Sequence, residues 1–490
     1  MSSPRPEKEQ RLPAVFRRIQ AFSIVIGSVV GSAIYLVPSE VAGYVPAIVP
    51  IAVVWASGAL FSLAGALTLA ELGAMLPRAG GYYVYVREAY GKLPGFLFGW
   101  ADFFLINTCG MATLAVGLSR ICVRMFPTPR ESFETLAWES VIAVAAISLL
   151  TAANMRGAVI GGWIQTVGAV VKLSVLAAVV LLPWIIPQAP LLRPAPVWPS
   201  AWDSGLWQGM IGAIVPVLWA FDGWQLLGHS AEEIQDPGRV IPKSLIGGMG
   251  MIAVLYLIVS LTYHVALPMD EIAHSQAVGA DFVRRLAGPV ADKTFSVLLV
   301  VTTLVTINVN LLSGTRSCFA AARDGIVPFG LDRVHPRHQV PTRAILASAV
   351  LAIVLIIANS LFLLVCESGS GADTADPAAA SGPGSKGLYE LMIALVMFGT
   401  ILSHLAAVST IFILRRRRPE LVRPFRTWGY PVTPAVFVAC AAALLITMIY
   451  ENWVHALLTA AILGVGFGYF RTHQPGSVAS ITSGRRGGVP

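Results

Sequence analysis

The chain has 490 residues, of which 56% are hydrophobic and 12% charged, with a mean hydropathy of +0.72. A water-soluble domain cannot present that composition to solvent, so the sequence reads as an all-α polytopic membrane protein. Its formal charge of +8 would suit nucleic acid, but Lys and Arg segregate among the loops, which makes the lipid bilayer the partner and excludes a nucleic-acid one.

Twelve spans are expected, each long enough to cross roughly 30 Å of hydrocarbon as a helix. They fall near 16–44, 46–75, 92–125, 137–154, 159–187, 206–231, 243–268, 292–322, 342–365, 387–414, 432–450 and 453–470. The tail 1–15 is basic (Arg5, Lys8, Arg11), and the first apolar run is too long for a signal-peptide core, so span 1 is expected to be retained. With both ends inside, about 25 of the 34 Lys and Arg lie on the inner side. The run "RRRRPELVRPFR" from Arg415 then reads as a topology anchor in a basic inner loop, 415–431, followed by spans 11 and 12 (432–470) and an inner tail, 471–490.

Span 1 contains "IGSVVGSAIYLVP", Ile26 to Pro38, with glycine and serine crowded where a membrane helix should be strongest. Gly27 and Gly31 form a GxxxG pair, which by itself suits close helix packing. Span 5, "QTVGAVVKLSVLAAVVLL", carries Lys172 with no acid nearby in the same helix. Snorkelling to the inner surface is one reading of it, and an ammonium aimed at the span 1 carbonyls is the other. In the second reading Lys172 occupies the place of a bridging cation and is a candidate for loading and releasing a proton. Gly168 and Ala169, one turn earlier, would allow the close approach.

Span 6, "GMIGAIVPVLWAFDGWQLLGHSAEEI", holds Pro216 and then Asp222-Gly223 in its apolar middle. Proline removes a donor and glycine tolerates unusual dihedrals, so this helix also invites a break. The two interruptions stand about 195 residues apart, each in the first span of a five-span block, which is an inverted-repeat signature. The repeats are expected at about 16–187 and 206–414, the second carrying a low-complexity outer loop at 367–386.

Broken helices expose carbonyls at one end and amides at the other. Carbonyls around Ile26 and Gly27, and at Trp219, Ala220 and Phe221, are expected to attract an ammonium. Amides around Ser32 and Ala33 are expected to attract a carboxylate. Candidate ligand residues from this reasoning are therefore Ser32 and Ala33 with Trp219, Ala220 and Phe221, and Asp222 stands beside them. Lys172 is the coupling candidate, and Gly27, Ser28 and Gly223 are the expected helix-breakers. Five cysteines show no metal-like spacing, the spans hold no HExxH or GxSxG pattern, and His404 in span 10 reads as a packing histidine. Neither enzyme, metal site nor cofactor is expected.

Four stretches resemble the amino acid-polyamine-organocation superfamily, in its L-type amino acid transporter branch with bacterial permease relatives. They are "GSVVGSAIYLVPSEV", "PRAGGYYVYVREAYGKLPGFLFGW", "WAFDGWQLLGHSAEEIQDPGRVIPKSL" and "SGTRSCFAAARDGIVPFGLDRVHPRHQVPTRA". The resemblance implies a LeuT-type 5+5 inverted-repeat bundle of ten core helices plus two, transporting amino acids by alternating access. It implies a substrate carboxylate on the amides of Gly31, Ser32 and Ala33, an amine on the carbonyls of Val29 and Trp219, and Trp219 as a lid, with Val30, Asp222 and Gln225 completing the expected substrate site. Relatives without sodium dependence carry a lysine matching Lys172, which supports its inward-pointing reading and leaves proton coupling or exchange. Two departures stand out: Ala33 where the family has glycine, and Trp219 where phenylalanine is common. Both narrow the pocket toward small or medium neutral amino acids, whereas Asp222 would suit a cationic side chain if it does not instead bond the amides of the span 6 break.

Animal members link covalently to a heavy subunit through a cysteine between spans 3 and 4. The matching segment "PTPRESFET" has none, so no covalent heavy subunit is expected; separately, the chain is expected to be a monomer in a plasma membrane, such as a bacterial inner membrane. A polyamine carrier or a non-transporting amino acid sensor of the same fold are the alternatives.

Overall fold

The computed structural model describes residues 11–125, 132–186, 195–325, 327, 330–369 and 388–473. The start of the N-terminal tail, the first residues of "PTPRESFET", most of the loop 367–386 and nearly all of the tail 471–490 lie outside the described residues. The regular structure among the described residues is helical, apart from one isolated bridge between Phe16 and Ile234. Among the described residues ten helices are long and apolar enough to cross a membrane, and Arg18–Val29 with Ala33–Tyr44 forms a further span bent by 40°. The shorter apolar helix Ser204–Ala220, continued after a gap by Leu226–His229, stands where span 6 was expected. The chain is a multi-pass membrane protein.

The two interrupted spans meet at their breaks. Gly223 has φ +115°, and a Cβ there would lie 2.7 Å from the Ser28 carbonyl oxygen. Only glycine allows both that dihedral and that approach. Beyond the breaks, a Cβ on Gly209 would lie 2.4 Å from the Tyr44 carbonyl oxygen, and one on Gly212 would meet the Tyr44 ring at 3.1 Å. The second half of span 1 therefore packs along the first half of span 6 on small residues.

The break in span 1 is shorter than expected. Arg18–Val29 runs helically through Gly27 and Ser28, so these two are not breakers, and the helix ends only at Val30. Gly27 is instead a contact point, since a Cβ there would fall 1.7 Å from Gln165 Nε2 of span 5. Ser28 Oγ donates to the Val25 carbonyl at 3.0 Å, a bond that helical backbone permits. Gly168 serves a different neighbour from the one expected, because its missing Cβ makes room for Val305 of span 8, at 2.1 Å.

Spans 3 and 8, Lys92–Arg124 and Lys293–Arg323, each contain a π-helical turn, at Asp102–Asn107 and Asn310–Gly314. The two turns face each other, a Cβ on Gly314 falling 2.1 Å from Asn107 Oδ1. Such turns widen a helix locally and recur at functional sites.

One end of the bundle is sealed by ion pairs. Glu233, just after span 6, accepts from Arg316 Nε at 2.8 Å and Nη2 at 3.0 Å, both side chains fully buried. Glu232 accepts from Arg323 at 3.0 Å, from the Ala79 amide at 3.0 Å and from the Leu12 amide at 2.8 Å. Asp324 accepts from the Tyr83 hydroxyl at 2.5 Å and pairs with Arg87. Burial and then the Asp324 carboxylate raise the Tyr83 phenol above its ordinary range, so it stays a donor. These bonds tie the N-terminal segment, the linker between spans 2 and 3, the end of span 6 and the end of span 8 together. The basic run at Arg415 also does more than anchor: Arg415 forks onto buried Glu71 at 2.9 and 2.5 Å, and the Thr427 amide completes that carboxylate at 2.7 Å.

Two outcomes are expected. Glu233→Ala leaves the Arg316 guanidinium buried and unpaired, which should cost about 3–5 kcal/mol in detergent unfolding measurements. Gly223→Ala should destabilise by more than about 1 kcal/mol, and by more than Gly288→Ala, because Gly288 shares a positive φ (+82°) but faces open space; unfolding midpoints of the two variants compare them.

Candidate functional site

The junction of the two breaks opens into a cavity of about 170 Å³. A water needs roughly 10–15 Å³ of such space, so the cavity takes about ten waters or a small organic molecule. Val29, Gly31, Ser32 and Ala33 line it from span 1, and Trp219, Asp222 and Gln225 from span 6, together with Ser28 and Gly223. The first-turn amides of Ala33–Tyr44 and the carbonyl end of Ser204–Ala220 thus border one space.

Three expected residues stand elsewhere. Val30 and Ala220 are each 1% exposed and Phe221 is fully buried, and none of them lines the cavity. Phe221 turns away to pack on Trp55 and Tyr256, with ring centroids 5.9 and 5.1 Å apart. The Phe221 amide still bonds the Val217 carbonyl at 3.2 Å, so its side chain follows the buried face of the helix that Val217 occupies.

Several of the expected free carbonyls are engaged. The Val30 amide closes onto the Ile26 carbonyl at 2.9 Å, ending the helix one bond later than expected. The Val29 carbonyl accepts from the Tyr256 hydroxyl at 3.0 Å, and the Trp219 carbonyl from the Asp222 amide at 3.1 Å. A carbonyl has two lone pairs, so each retains capacity for a second donor.

Lys172 is fully buried behind the first break. Its Nζ donates to the Gly27 carbonyl at 2.6 Å and to Thr306 Oγ1 of span 8 at 2.8 Å. The side chain points into the bundle, and its ammonium bridges spans 1 and 8 one layer outside the cavity, with Thr306 lining that cavity. Deeper still, Asn308 Nδ2 donates to the Gly161 carbonyl and Gln165 Oε1, both at 3.1 Å, so spans 5 and 8 are joined by a buried polar ladder.

Asp222 does not cap backbone amides. Its Oδ1 lies 3.3 Å from His404 Nε2 of span 10, and its Oδ2 accepts from Gln225 Nε2 at 3.4 Å. The amide of the break is met by Gln225 instead, whose Oε1 accepts from Gly223 at 3.1 Å. Asp102, Asn107, His229, Thr306 and Asn310 also line the cavity and were not among the expected residues. Asp102 left a readable signal, an acid within the apolar run "WADFFLIN". Asn107 and His229 left none, because small polar residues in membrane helices more often serve packing.

The amino acid permease family matches residues 16–467. Over 355 residues the chain is 27% identical to the b(0,+)-type amino acid transporter 1 of Oryctolagus cuniculus, covering 71% of this chain and 70% of the relative. It is 25% identical over 427 residues to the serine/threonine exchanger SteT of Bacillus subtilis, covering 86% and 87%. The Asc-type amino acid transporter 1 of Homo sapiens is 26% identical over 472 residues, covering 95% and 84%. With two interrupted spans around one cavity and a family match that takes in nearly the whole chain, the protein belongs to the amino acid permease family.

Proposed function

We propose that this chain is a secondary active transporter of amino acids, working by alternating access without sodium. The observation that carries this reading is one cavity bordered by both helix breaks, with amide ends and carbonyl ends facing it. A zwitterion has one group for each. Lys172 supports sodium independence, because its ammonium already holds the Gly27 carbonyl that a cation would otherwise use.

The cargo we infer is a small or medium neutral amino acid. The Ala33 methyl and the Trp219 indole, the latter 36% exposed, narrow the space, and Asp222 is already engaged by His404 and Gln225. The serine/threonine exchanger among the relatives makes L-serine the first probe. The sealed end, with its arginines and the N-terminal segment, is proposed to face the cytoplasm of a plasma membrane, both termini with it. In that orientation the Glu233–Arg316 and Glu232–Arg323 pairs form the gate that must open for release inward. The core 16–414 is proposed to form the two repeats, spans 11 and 12 to flank it, and the chain to act as a monomer with no covalent partner. A second reading, carriage of an amine, is favoured by one observation: Asp102 and Asp222 both line the cavity.

Purified protein in liposomes tests both readings. In sodium-free buffer, labelled L-serine is expected to enter vesicles preloaded with L-serine, or empty vesicles under an inward proton gradient. Preloading dependence indicates exchange and gradient dependence symport; uptake of spermidine with none of any amino acid would replace the first reading by the second. Lys172→Gln is expected to reduce uptake by about tenfold or more, since bonds to a charged donor are worth about 1.5–3 kcal/mol, while unfolding stays cooperative. Wild-type rates in that variant would remove Lys172 from the mechanism.

A further inference from the structure

His404 belongs to span 10, outside both breaks, and its hydrogen-bond pattern has only one kind of solution. Nδ1 lies 2.6 Å from the Thr400 carbonyl oxygen, one turn earlier. A carbonyl oxygen can only accept, so Nδ1 carries a hydrogen and donates it. Nε2 lies 3.3 Å from Asp222 Oδ1. With Nδ1 already protonated, a neutral ring would aim the Nε2 lone pair at a carboxylate oxygen, which is repulsive. A proton between the two removes the repulsion. The pair is then either an imidazolium facing a carboxylate or a neutral imidazole facing a carboxylic acid. Both hold one proton more than neutral histidine plus ionised aspartate.

Resting on the transport reading above, we propose that Asp222 and His404 jointly bind the coupling proton, on the wall of the substrate cavity. Access supports this placement. The Asp222 side chain is 27% exposed and the His404 side chain 5%, so a proton from the cavity reaches the histidine through the carboxylate. The pair also borders a second void of about 20 Å³, whose lining shares Asp222, Met397 and Thr400 with the main cavity.

The surroundings hold the ring in place. His404 lies edge-on to Trp224 and Tyr82, at 4.8 and 5.7 Å, and beside Phe437 of span 11 at 6.1 Å. The facing titratable groups are the Tyr82 phenol from the linker before span 3 and Asp222 itself; Tyr85, Asp102 and His229 stand one residue further out, around Tyr82. Glu71 of span 2 is taken by Arg415 and Thr427. Arg415 is eleven residues beyond His404, about 16 Å along the helix. Among the described residues the ring therefore has one close carboxylate and no close cation.

The bond bookkeeping is simple. Protonation from the cavity forms an N–H or O–H bond between Asp222 and His404, and release breaks it, with no other bond changed. The mechanical consequence follows from position: Asp222 sits inside the span 6 break, tied to Gly223 through Gln225, and His404 sits on span 10. With the proton, span 10 is linked to the break. Without it the two like-facing acceptors repel, so proton loss and rearrangement of the break are the same event.

Two measurements decide it, with the wild type, His404→Gln and the near-isosteric Asp222→Asn in liposomes clamped at zero membrane potential. One proton per substrate under a gradient of one pH unit accumulates labelled L-serine up to about tenfold over equilibrium. The wild type is expected to approach that limit, and both variants to lose the accumulation. Accumulation retained in both variants, or wild-type exchange indifferent to the gradient, overturns the coupling role and leaves amino acid exchange standing. No L-serine movement in any condition would instead overturn the transport reading. The second measurement is nitrogen-15 histidine NMR of the folded protein, which needs no transport. The resonances lost in His404→Gln should show Nδ1 protonated, with the Nε2 resonance altered by Asp222→Asn. An unprotonated Nδ1, or an Nε2 indifferent to Asp222→Asn, overturns the dyad.

Discussion

Backbone N–H and C=O groups inside hydrocarbon must find partners, and each unsatisfied one costs several kcal/mol. Two helices here are interrupted at mid-bundle, so the rest of the structure has to supply those partners. Gly223 lets one break lie against the Ser28 carbonyl of the other. Lys172 takes the Gly27 carbonyl, Tyr256 takes that of Val29, and Gln225 takes the Gly223 amide. What is left over, the amide end of one segment and the carbonyl capacity of another, borders the cavity. The site is the remainder of an otherwise completed satisfaction problem.

That constraint explains why spans 5 and 7, which do not line the cavity, matter to it as much as spans 8 and 10, which line part of it. Lys172 bridges spans 1 and 8, Tyr256 comes from span 7, and His404 holds Asp222 from span 10. Each is a single bond from a continuous helix to an interrupted one. Movement of a break must therefore exchange such bonds, while the far end is held by the buried Glu233–Arg316 pair. A bundle built this way has discrete arrangements, which is what alternating access requires.

Legibility in the sequence followed physical scale. Apolar length located the spans, because hydrocarbon thickness admits little else; among the described residues ten appear as long helices, the first as a bent pair and the sixth as a shorter helix continued after a gap. Glycine, proline and aspartate in the wrong solvent flagged both interruptions. The family pattern then picked out the residues around them, of which Val29, Gly31, Ser32, Ala33, Trp219, Asp222 and Gln225 line the cavity. Finer points were out of reach. Gly27 and Ser28 are compatible with helix and with its end, and it is the folded backbone, helical through Val29, that shows the helix continues. Phe221 follows Ala220 in a turn whose direction depends on Trp55 and Tyr256 from other spans.

The sequence by itself determined that the chain spans a membrane, where its helices are weak, and which family it belongs to, because these depend on composition, local backbone preference and motif order. The tertiary structure alone decided which groups face each other across the breaks. His404 is the plainest case: along its own helix it is one polar residue among apolar ones, and nothing local separates packing from proton binding. Its partner is 182 residues away in sequence, from Asp222 to His404, and 3.3 Å away in space. A hydrogen bond is made by position, and position at that separation is a property of the packed bundle.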